Sequence, residues 1–311
     1  MKERVYISGS TGMVGRNIIE NLDTERFEII APHSVDLNLI NYESIKRFLQ
    51  KVQPDYVVHC AGKVGGIQAN VKDSYGFFTE NILMGINIVK ACVETGIRNF
   101  LNLSSSCSYP YNAPIPFRED YVFSGKLEPT NEGYAIAKAA ILKMCEFVTK
   151  QFEELSYKTI VPCNLYGKYD KFGREISHMI PAVIKKLHFA KENNIKNVEI
   201  WGAGTARREF MFATDLAIMV NKILNNFKIL PPVMNVGLGY DYTINEYYET
   251  IAKVIGYKGG FFHDLTKPAG MERKLLDVSL QKSYGFEAIY SLEEGIRETY
   301  KYYLEGSIYA V

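Results

Sequence analysis

The sequence predicts an α/β protein: a doubly wound parallel sheet with a smaller α/β domain after it. Three observations carry that reading. Short apolar runs alternate with stretches of helical spacing from the first residues to about 167. A glycine-spaced turn, "GSTGMVG" at 9–15, separates the first run from the first helical stretch. The chain has 311 residues, more than one small core can use.

Each element has its own reason. "RVYISGS" (4–10) is a short buried strand closed by a glycine, and "TGMVGRNIIENL" (11–22) then sets Val14, Ile18 and Leu22 on one helical face. "FEIIAP" (27–32) is the second strand. "YESIKRFLQKV" (42–52) is an amphipathic helix with Ile45, Phe48, Leu49 and Val52 inward. "PDYVVHCAG" (54–62) is a strand begun after a proline and ended at a glycine. Residues 75–95 form a long helix closed by Gly96, "NFLNLSSS" (99–106) the next strand, and "NEGYAIAKAAILKMCEFVTKQF" (131–152) another long helix. "KTIVPCNLYG" (158–167) is one more strand. After 167 the rhythm loosens into a helix near 178–193, a strand at "NVEIW", a helix near 214–225, a strand at "VMNVG", and helices near 243–255 and 291–304. No repeat, low-complexity linker or charge run interrupts the chain. The expected division is 1–167 plus about 211–238 for a dinucleotide-binding domain, and about 168–210 plus 239–311 for a substrate domain.

Composition narrows the function. Net charge is +1, from 36 basic and 35 acidic residues, so nucleic-acid binding has no electrostatic support and any affinity for phosphate must be local. The first residues enter a strand pattern without the charged head, apolar body and cleavage site of a signal peptide. No apolar run reaches the roughly 18 residues of a membrane helix. The expectation is a cytoplasmic protein with no membrane partner. There the five cysteines, Cys60, Cys92, Cys107, Cys145 and Cys163, stay reduced. Their odd number and wide spacing argue against a disulfide framework and against a metal site.

Gly9, Gly12 and Gly15 follow the first strand and open the first helix. Such glycines permit a tight turn and the close approach of a pyrophosphate to the free N–H groups of the helix. The motif points to a dinucleotide, not to a reaction. At the end of the second strand an acidic residue favours NAD and a basic one accommodates the extra phosphate of NADP. In "APHSVDLNL" (31–39), Asp36 stands after the turn, where it can also serve as a cap; His33 and Ser34 lie nearer the expected place.

"YAIAK" puts Tyr134 and Lys138 on one helical face. An ammonium beside a phenol favours the phenolate, so the pair predicts a tyrosine pKa lowered from about 10 toward neutrality and a proton donor for a carbonyl under reduction. A serine of the strand end "SSSCSYP" (104–110) can hold the same oxygen. Cys107 within that stretch has four readings: small core residue, half of a disulfide, metal ligand or reacting base. The cysteine spacing weakens the second and third.

Further motifs are "AGKVGGI" (61–67), "SSCSYP" (105–110), "LEPTNEGYAIAK" (127–138), "NLYG" (164–167), "SHMIPA" (177–182), "WGAGTARREF" (201–210) and "RKLLDVS" (273–279). On these the chain resembles the GDP-L-fucose synthase branch of the extended short-chain dehydrogenase/reductase family, with its GDP-heptose C4-reductase relatives. The resemblance runs nearly end to end. It implies a Rossmann-like fold, NADPH as cofactor, and two stages of chemistry on GDP-4-keto-6-deoxymannose or a related heptose. C3 and C5 are epimerised, then C4 is reduced, as in forming GDP-L-fucose. Some relatives only reduce.

By the resemblance the catalytic set is Ser105, Cys107, Tyr134, Lys138 and His178, with Cys107 the base and His178 the acid of epimerisation. It implies cofactor contacts at Gly9, Thr11, Gly12, Met13, Val14, Gly15, His33, Ser34, Asp36, Leu37, Ala61, Leu103, Ser104, Lys138, Asn164, Leu165 and His178. It implies GDP-sugar contacts at Ser106, Lys186, Trp201 and Arg208. Thr11, His33 and Ser34 stand where the family often carries arginines, so NADPH is expected to win by a modest factor, with NADH as the alternative. Bland readings stay open: Cys107 as a packed strand-end residue, His178 bonded to backbone at a helix start, Arg208 paired with Glu209 or Asp215, Trp201 filling core. A nucleotide-sensing regulator on a reductase scaffold is a third class. It would go with loss of the serine, tyrosine or lysine, and all three are present.

The helices near 75–95 and 133–153 carry apolar residues beyond one core stripe: Ile86, Ile88 and Val89, then Ile136, Ile141, Leu142, Met144 and Phe147. The resemblance implies that such helices pair across a two-fold axis, so a homodimer is expected.

Overall fold

Side chains alternate along a strand, and here both faces are buried. In β1 (Glu3–Ser8), Val5 and Ile7 enter one core and Tyr6 the opposite one. β2 (Phe27–Ile30), β3 (Tyr56–His59), β4 (Asn99–Leu103) and β5 (Ser156–Pro162) follow in the chain. The split repeats in β3, with Val58 on one side and Val57 on the other, and in β4, with Leu101 and Phe100. The computed structural model describes residues 1–173, 177–267 and 271–308. β6 (Asn164–Tyr166), β7 (Asn197–Trp201), β8 (Arg207–Arg208) and β9 (Phe210–Phe212) precede β10 (Val233–Val236), which closes a six-stranded sheet. The order is β2-β1-β3-β4-β5-β10, with every neighbour parallel.

The order reverses at β1, whose neighbours are β2 and β3. In a doubly wound sheet the ligand crevice lies at that switch point, outside the carboxyl ends of the strands. The connecting helices cover both faces. α1 (Met13–Asn21) leads to β2. α2 (Tyr42–Val52) leads to β3 and buries Ile45 and Leu49 fully, each contributing about 2 kcal/mol of transfer free energy. Asn41 caps α2 by accepting from Ser44 N at 3.0 Å. α3 (Ile67–Lys72), α4 (Ser74–Glu94) and α5 (Glu132–Gln151) come next, and α4 packs along both α2 and α5.

α4 is long and apolar enough to cross a membrane by length and composition alone, although no uninterrupted apolar run announces it. Nearly half of its most apolar window is buried inside the molecule. Of the residues expected beyond the core stripe, Ile88, Val89, Ile141 and Leu142 are core; Ile86, Ile136 and Phe147 are exposed, joined by Phe78 and Leu83. The strand expected over 158–167 is also two strands. β5 ends at Pro162, which offers the ladder no N–H, and β6 then pairs with β9.

α6 (Met179–Glu192), α7 (Ala213–Asn225), α8 (Ile244–Ile255), α9 (Ser279–Ser283) and α10 (Leu292–Ile308) complete the helices described. α7 packs on α1. α6, α8 and α10 enclose a third core around Ile180, Ile184, Leu187, Tyr247, Ile251 and Ile296. α8 begins with a capping box between Thr243 and Glu246.

β11 (Tyr242–Thr243), β12 (Gly260–Asp264) and β13 (Arg273–Lys274) build small sheets at this end: β12 lies beside β7, and β8 lies between β11 and β13. Arg207 registers with Arg273 and Arg208 with Lys274. Strands of two residues have no period to read, so they, α3 and α9 were not visible in the sequence.

Candidate active site

The glycine turn is held by contacts that leave no room for side chains. Gly9 has φ +73°, and a Cβ there would lie 2.7 Å from the backbone N and Cα of Ala61. A Cβ at Gly15 would meet the Gly9 carbonyl oxygen at 2.3 Å. Gly12 differs: its Cβ would find no protein atom nearer than 3.4 Å, so packing does not require its bareness. Gly12 is the N-cap of α1; no side-chain cap bond and no acidic residue occupy that first turn. The orphan N–H groups and the positive helix end suit a phosphate. Asn17 anchors the turn by donating to Met13 O at 2.8 Å and to Lys168 O at 3.0 Å.

In the turn expected to meet the adenosine, Asp36 N and Leu37 N both donate to His33 O at 3.0 Å, closing it after β2. His33, Ser34 and Asp36 are exposed and Leu37 is buried. Thr11 is exposed; Met13 and Val14 are half-buried. Ala61 backs Gly9, and Leu103 ends β4.

"SSSCS" is a single turn that consumes most of its own hydroxyls. Ser104 Oγ donates to Lys138 O at 3.3 Å and lies 3.1 Å from Ser108 Oγ. Ser105 Oγ accepts from Cys107 N at 3.2 Å. Ser106, assigned to the sugar, is 2% exposed. Tyr134 and Lys138 sit one turn apart in α5, with Lys138 Nζ 6.0 Å from the Tyr134 ring centre. Ser105 is a hydrogen-bond partner of the Tyr134 phenol. Lys138 Nζ donates to Leu103 O at 2.9 Å. Burial lowers the Lys138 ammonium to about 8, against an opposing pull from Cys60.

The expected downward shift of Tyr134 is not what the site produces. Burial, and then the charge of Cys107, push the phenol up, and the Ser105 hydrogen bond offsets only part of this. The lysine is directed to a backbone carbonyl instead of the phenol. A phenol held protonated is nonetheless the form that donates a proton.

Cys107 takes two donors. Asn131 Nδ2 lies 3.2 Å from Sγ and Lys274 Nζ lies 3.4 Å from it. Burial raises the thiol, but Lys274, Ser105 and Asn131 together outweigh it, leaving its pKa below the ordinary value. His178 caps α6 with its backbone, and its ring makes no cap hydrogen bond. Burial first, then Lys171 and Lys274, hold its imidazole below the ordinary range. Lys274 thus acts on both proposed partners of proton transfer.

Among the residues expected to meet the GDP-sugar, Lys186 Nζ donates to Glu199 O at 2.5 Å, and Trp201 Nε1 donates to Glu199 Oε2 at 3.0 Å. Trp201 is 45% exposed, so it does not fill core. Arg208 Nη1 donates to Arg207 O at 2.8 Å. Glu209 and Asp215, its alternative partners, both accept from backbone: Glu209 from Leu238, Gly239 and Leu276, Asp215 from Ile289 and Tyr290. Asn164 Nδ2 donates to Glu209 O at 3.0 Å, and Leu165 is half-buried beside it.

The fold therefore gathers Ser105, Cys107, Tyr134 and Lys138 around the end of β4. Asn131 and Lys274 were missed by sequence reasoning. Both lie inside quoted motifs, "LEPTNEGYAIAK" and "RKLLDVS", yet nothing local in either motif points to the cysteine.

A family model described as the NAD dependent epimerase/dehydratase family matches residues 5–237. The chain is 48% identical over 301 residues to the GDP-L-colitose synthase of Yersinia pseudotuberculosis, covering 97% of this chain and 98% of that one. It is 45% identical over 305 residues to the GDP-L-fucose synthase of Azorhizobium caulinodans, covering 98% and 97%. A solved GDP-mannoheptose C4 reductase from Campylobacter jejuni with NADP bound superposes with a TM-score of 0.88 at 30% identity, covering 97% of this chain and 98% of that one.

Proposed function

The chain belongs to the NAD dependent epimerase/dehydratase family, and from that premise we propose that it is an NADPH-dependent oxidoreductase that epimerises and then reduces a GDP-4-keto-6-deoxy sugar. The relatives' names support a GDP-sugar substrate and the NADP-bound structure supports the cofactor. The bare, uncapped N-terminus of α1 at Gly12 fits a dinucleotide. In this reading 1–167 plus about 211–238 hold the cofactor, and about 168–210 plus 239–311 hold the GDP-sugar.

When bound, NADPH supplies the hydride that adds to C4. Tyr134 gives its proton to the carbonyl oxygen, so ketone, NADPH and one proton become alcohol and NADP. Ser105 aligns that oxygen, and Lys138 lies beneath, fastened to Leu103. For epimerisation, the 4-keto group acidifies the C3 and C5 protons. Cys107 as thiolate removes one, the Ser105 and Tyr134 hydroxyls hold the enolate oxygen, and His178 returns a proton from the other face. The observation that carries this half is the sulphur set between two donors, Asn131 and Lys274.

A second reading is a C4 reductase without epimerisation. What favours it is His178, whose burial and lysine neighbours reduce the protonated form that an acid needs. We propose further that the exposed apolar side chains of α4 and α5 pair two copies into a homodimer.

The test is incubation with GDP-4-keto-6-deoxymannose in deuterated water, with and without NADPH. Deuterium at C3 and C5 followed by reduction supports the first reading. Reduction without label supports the second. Neither reduction nor label overturns both.

A further inference from the structure

Two residues per strand divide four basic side chains between two faces. Arg207 registers with Arg273 and Arg208 with Lys274, so the first pair shares one face of the small sheet and the second pair shares the other. The inner pair faces the site, where Lys274 Nζ reaches Cys107 Sγ at 3.4 Å. The outer pair meets Asp241, the residue before β11. Arg207 Nε donates to Asp241 Oδ1 at 2.6 Å and Arg207 Nη2 to Asp241 O at 2.6 Å. Arg273 Nε donates to Asp241 Oδ2 at 2.6 Å. The Asp241 side chain is 1% exposed, against 40% and 44% for the arginines.

Strands this short have few backbone bonds to fix their register. One buried carboxylate taking a charge-assisted bond on each oxygen supplies what the ladder lacks. Without it, the two half-exposed guanidinium groups would lose the carboxylate they share, and only Arg207 would keep another, Glu246 at 3.9 Å.

We infer that Asp241 is a positioning residue for the active site: by clamping Arg207 and Arg273 on the outer face, it fixes Lys274 against Cys107 on the inner face. The inference rests on the reading of Cys107 as the base. The groups facing Cys107 are Ser105 after β4, Asn131 and Tyr134 at the start of α5, and Lys274 on β13; Lys274 also acts on His178. Of these, Lys274 is the group that the clamped strands carry.

The full-length protein is alkylated with iodoacetamide across a pH series, and the Cys107 peptide is followed by mass spectrometry. In Asp241→Asn the Cys107 profile should move to higher pH, and its alkylation rate at pH 7 should fall on the order of tenfold, the low end for losing a nearby opposite charge. A purely structural role would lower the melting temperature without moving the profile of the folded protein. Lys274→Met should reproduce the shift, and Asp241→Asn should add nothing in that background. If Asp241→Asn does not fold, Arg273→Met opens one side of the clamp and should move the profile in the same direction by less. An unmoved profile in a folded clamp variant, or additive shifts in the double variant, overturns the inference. Failure of the underlying reading looks different: wild type then shows no deuterium exchange, whatever the Cys107 profile does.

Discussion

The Lys274 ammonium stands 3.4 Å from the Cys107 sulphur, although 167 residues separate the two in the chain. Asn131 offers a second donor to the same atom at 3.2 Å. An ammonium and an amide N–H cannot accept the proton of a thiol. The sulphur is therefore surrounded as an anion would be, which argues against a merely packed strand-end cysteine.

Cys107→Ser should end deuterium exchange at C3 and C5 while hydride transfer persists. Serine nearly conserves volume, and its hydroxyl is far too weak an acid to serve as an alkoxide base. Mass spectrometry of the recovered GDP-sugar decides. Undiminished exchange in the variant would make Cys107 a bystander.

Tyr134→Phe should lower kcat for NADPH oxidation by at least about 100-fold, because it removes the proton donor. Cofactor affinity, measured by fluorescence titration, should be retained. Near-normal turnover would remove Tyr134 from its role.

Exchange should trace a bell against pH. The Cys107 thiolate fraction rises as pH climbs through a pKa held below the ordinary thiol value by Lys274, Ser105 and Asn131 against burial. The protonated His178 fraction falls through a pKa that burial and two lysines hold below the ordinary imidazole value. Both limbs therefore shift toward acid relative to an unperturbed pair. Initial exchange rates over about pH 5 to 9 measure this. A flat profile would exclude this acid–base pair.

NADPH should exceed NADH in kcat/KM by on the order of ten, or about 1.4 kcal/mol. The exposed turn offers His33, Ser34 and backbone N–H groups to a 2′-phosphate, and neutral donors grip an anion less well than an arginine fork. A thousandfold preference would mean that a cation from elsewhere reaches the phosphate.

Light scattering at micromolar concentration should give the mass of two chains. Phe147→Glu, at a side chain 63% exposed on α5, should give one chain by burying a charge in the apolar face. A monomeric wild type would sink the dimer.

Much of the sheet was legible because its code is local. Gly9, Gly12 and Gly15 announce a turn by spacing, and Tyr134 and Lys138 share a helical face at four residues apart. α2 was legible to the residue, because its apolar period is regular over three turns. The direction of the Tyr134 shift was not legible. It depends on how much protein closes over the phenol, and on where the Lys138 ammonium finds its acceptor. Lys274 and Asn131 were invisible for a related reason: their partner is a sulphur that only tertiary folding brings near. β5 was read too long because Cys163 and β6 continue its apolar character after the chain has left the sheet.

The two-residue strands β8 and β13 leave no spare register. A single-residue deletion between Gly204 and Arg207 would turn over every side chain that follows it in β8. Arg208 would take the place of Arg207 beside Asp241, and Glu209 would take the place of Arg208 on the inner face. Charge, composition and helix content would hardly change, and alignment of the sequence would show one small gap in a surface-like stretch. The inner face of β8 would nevertheless lose the cation that stands beside Lys274. At this point in the chain, length is as much a part of the code as residue identity.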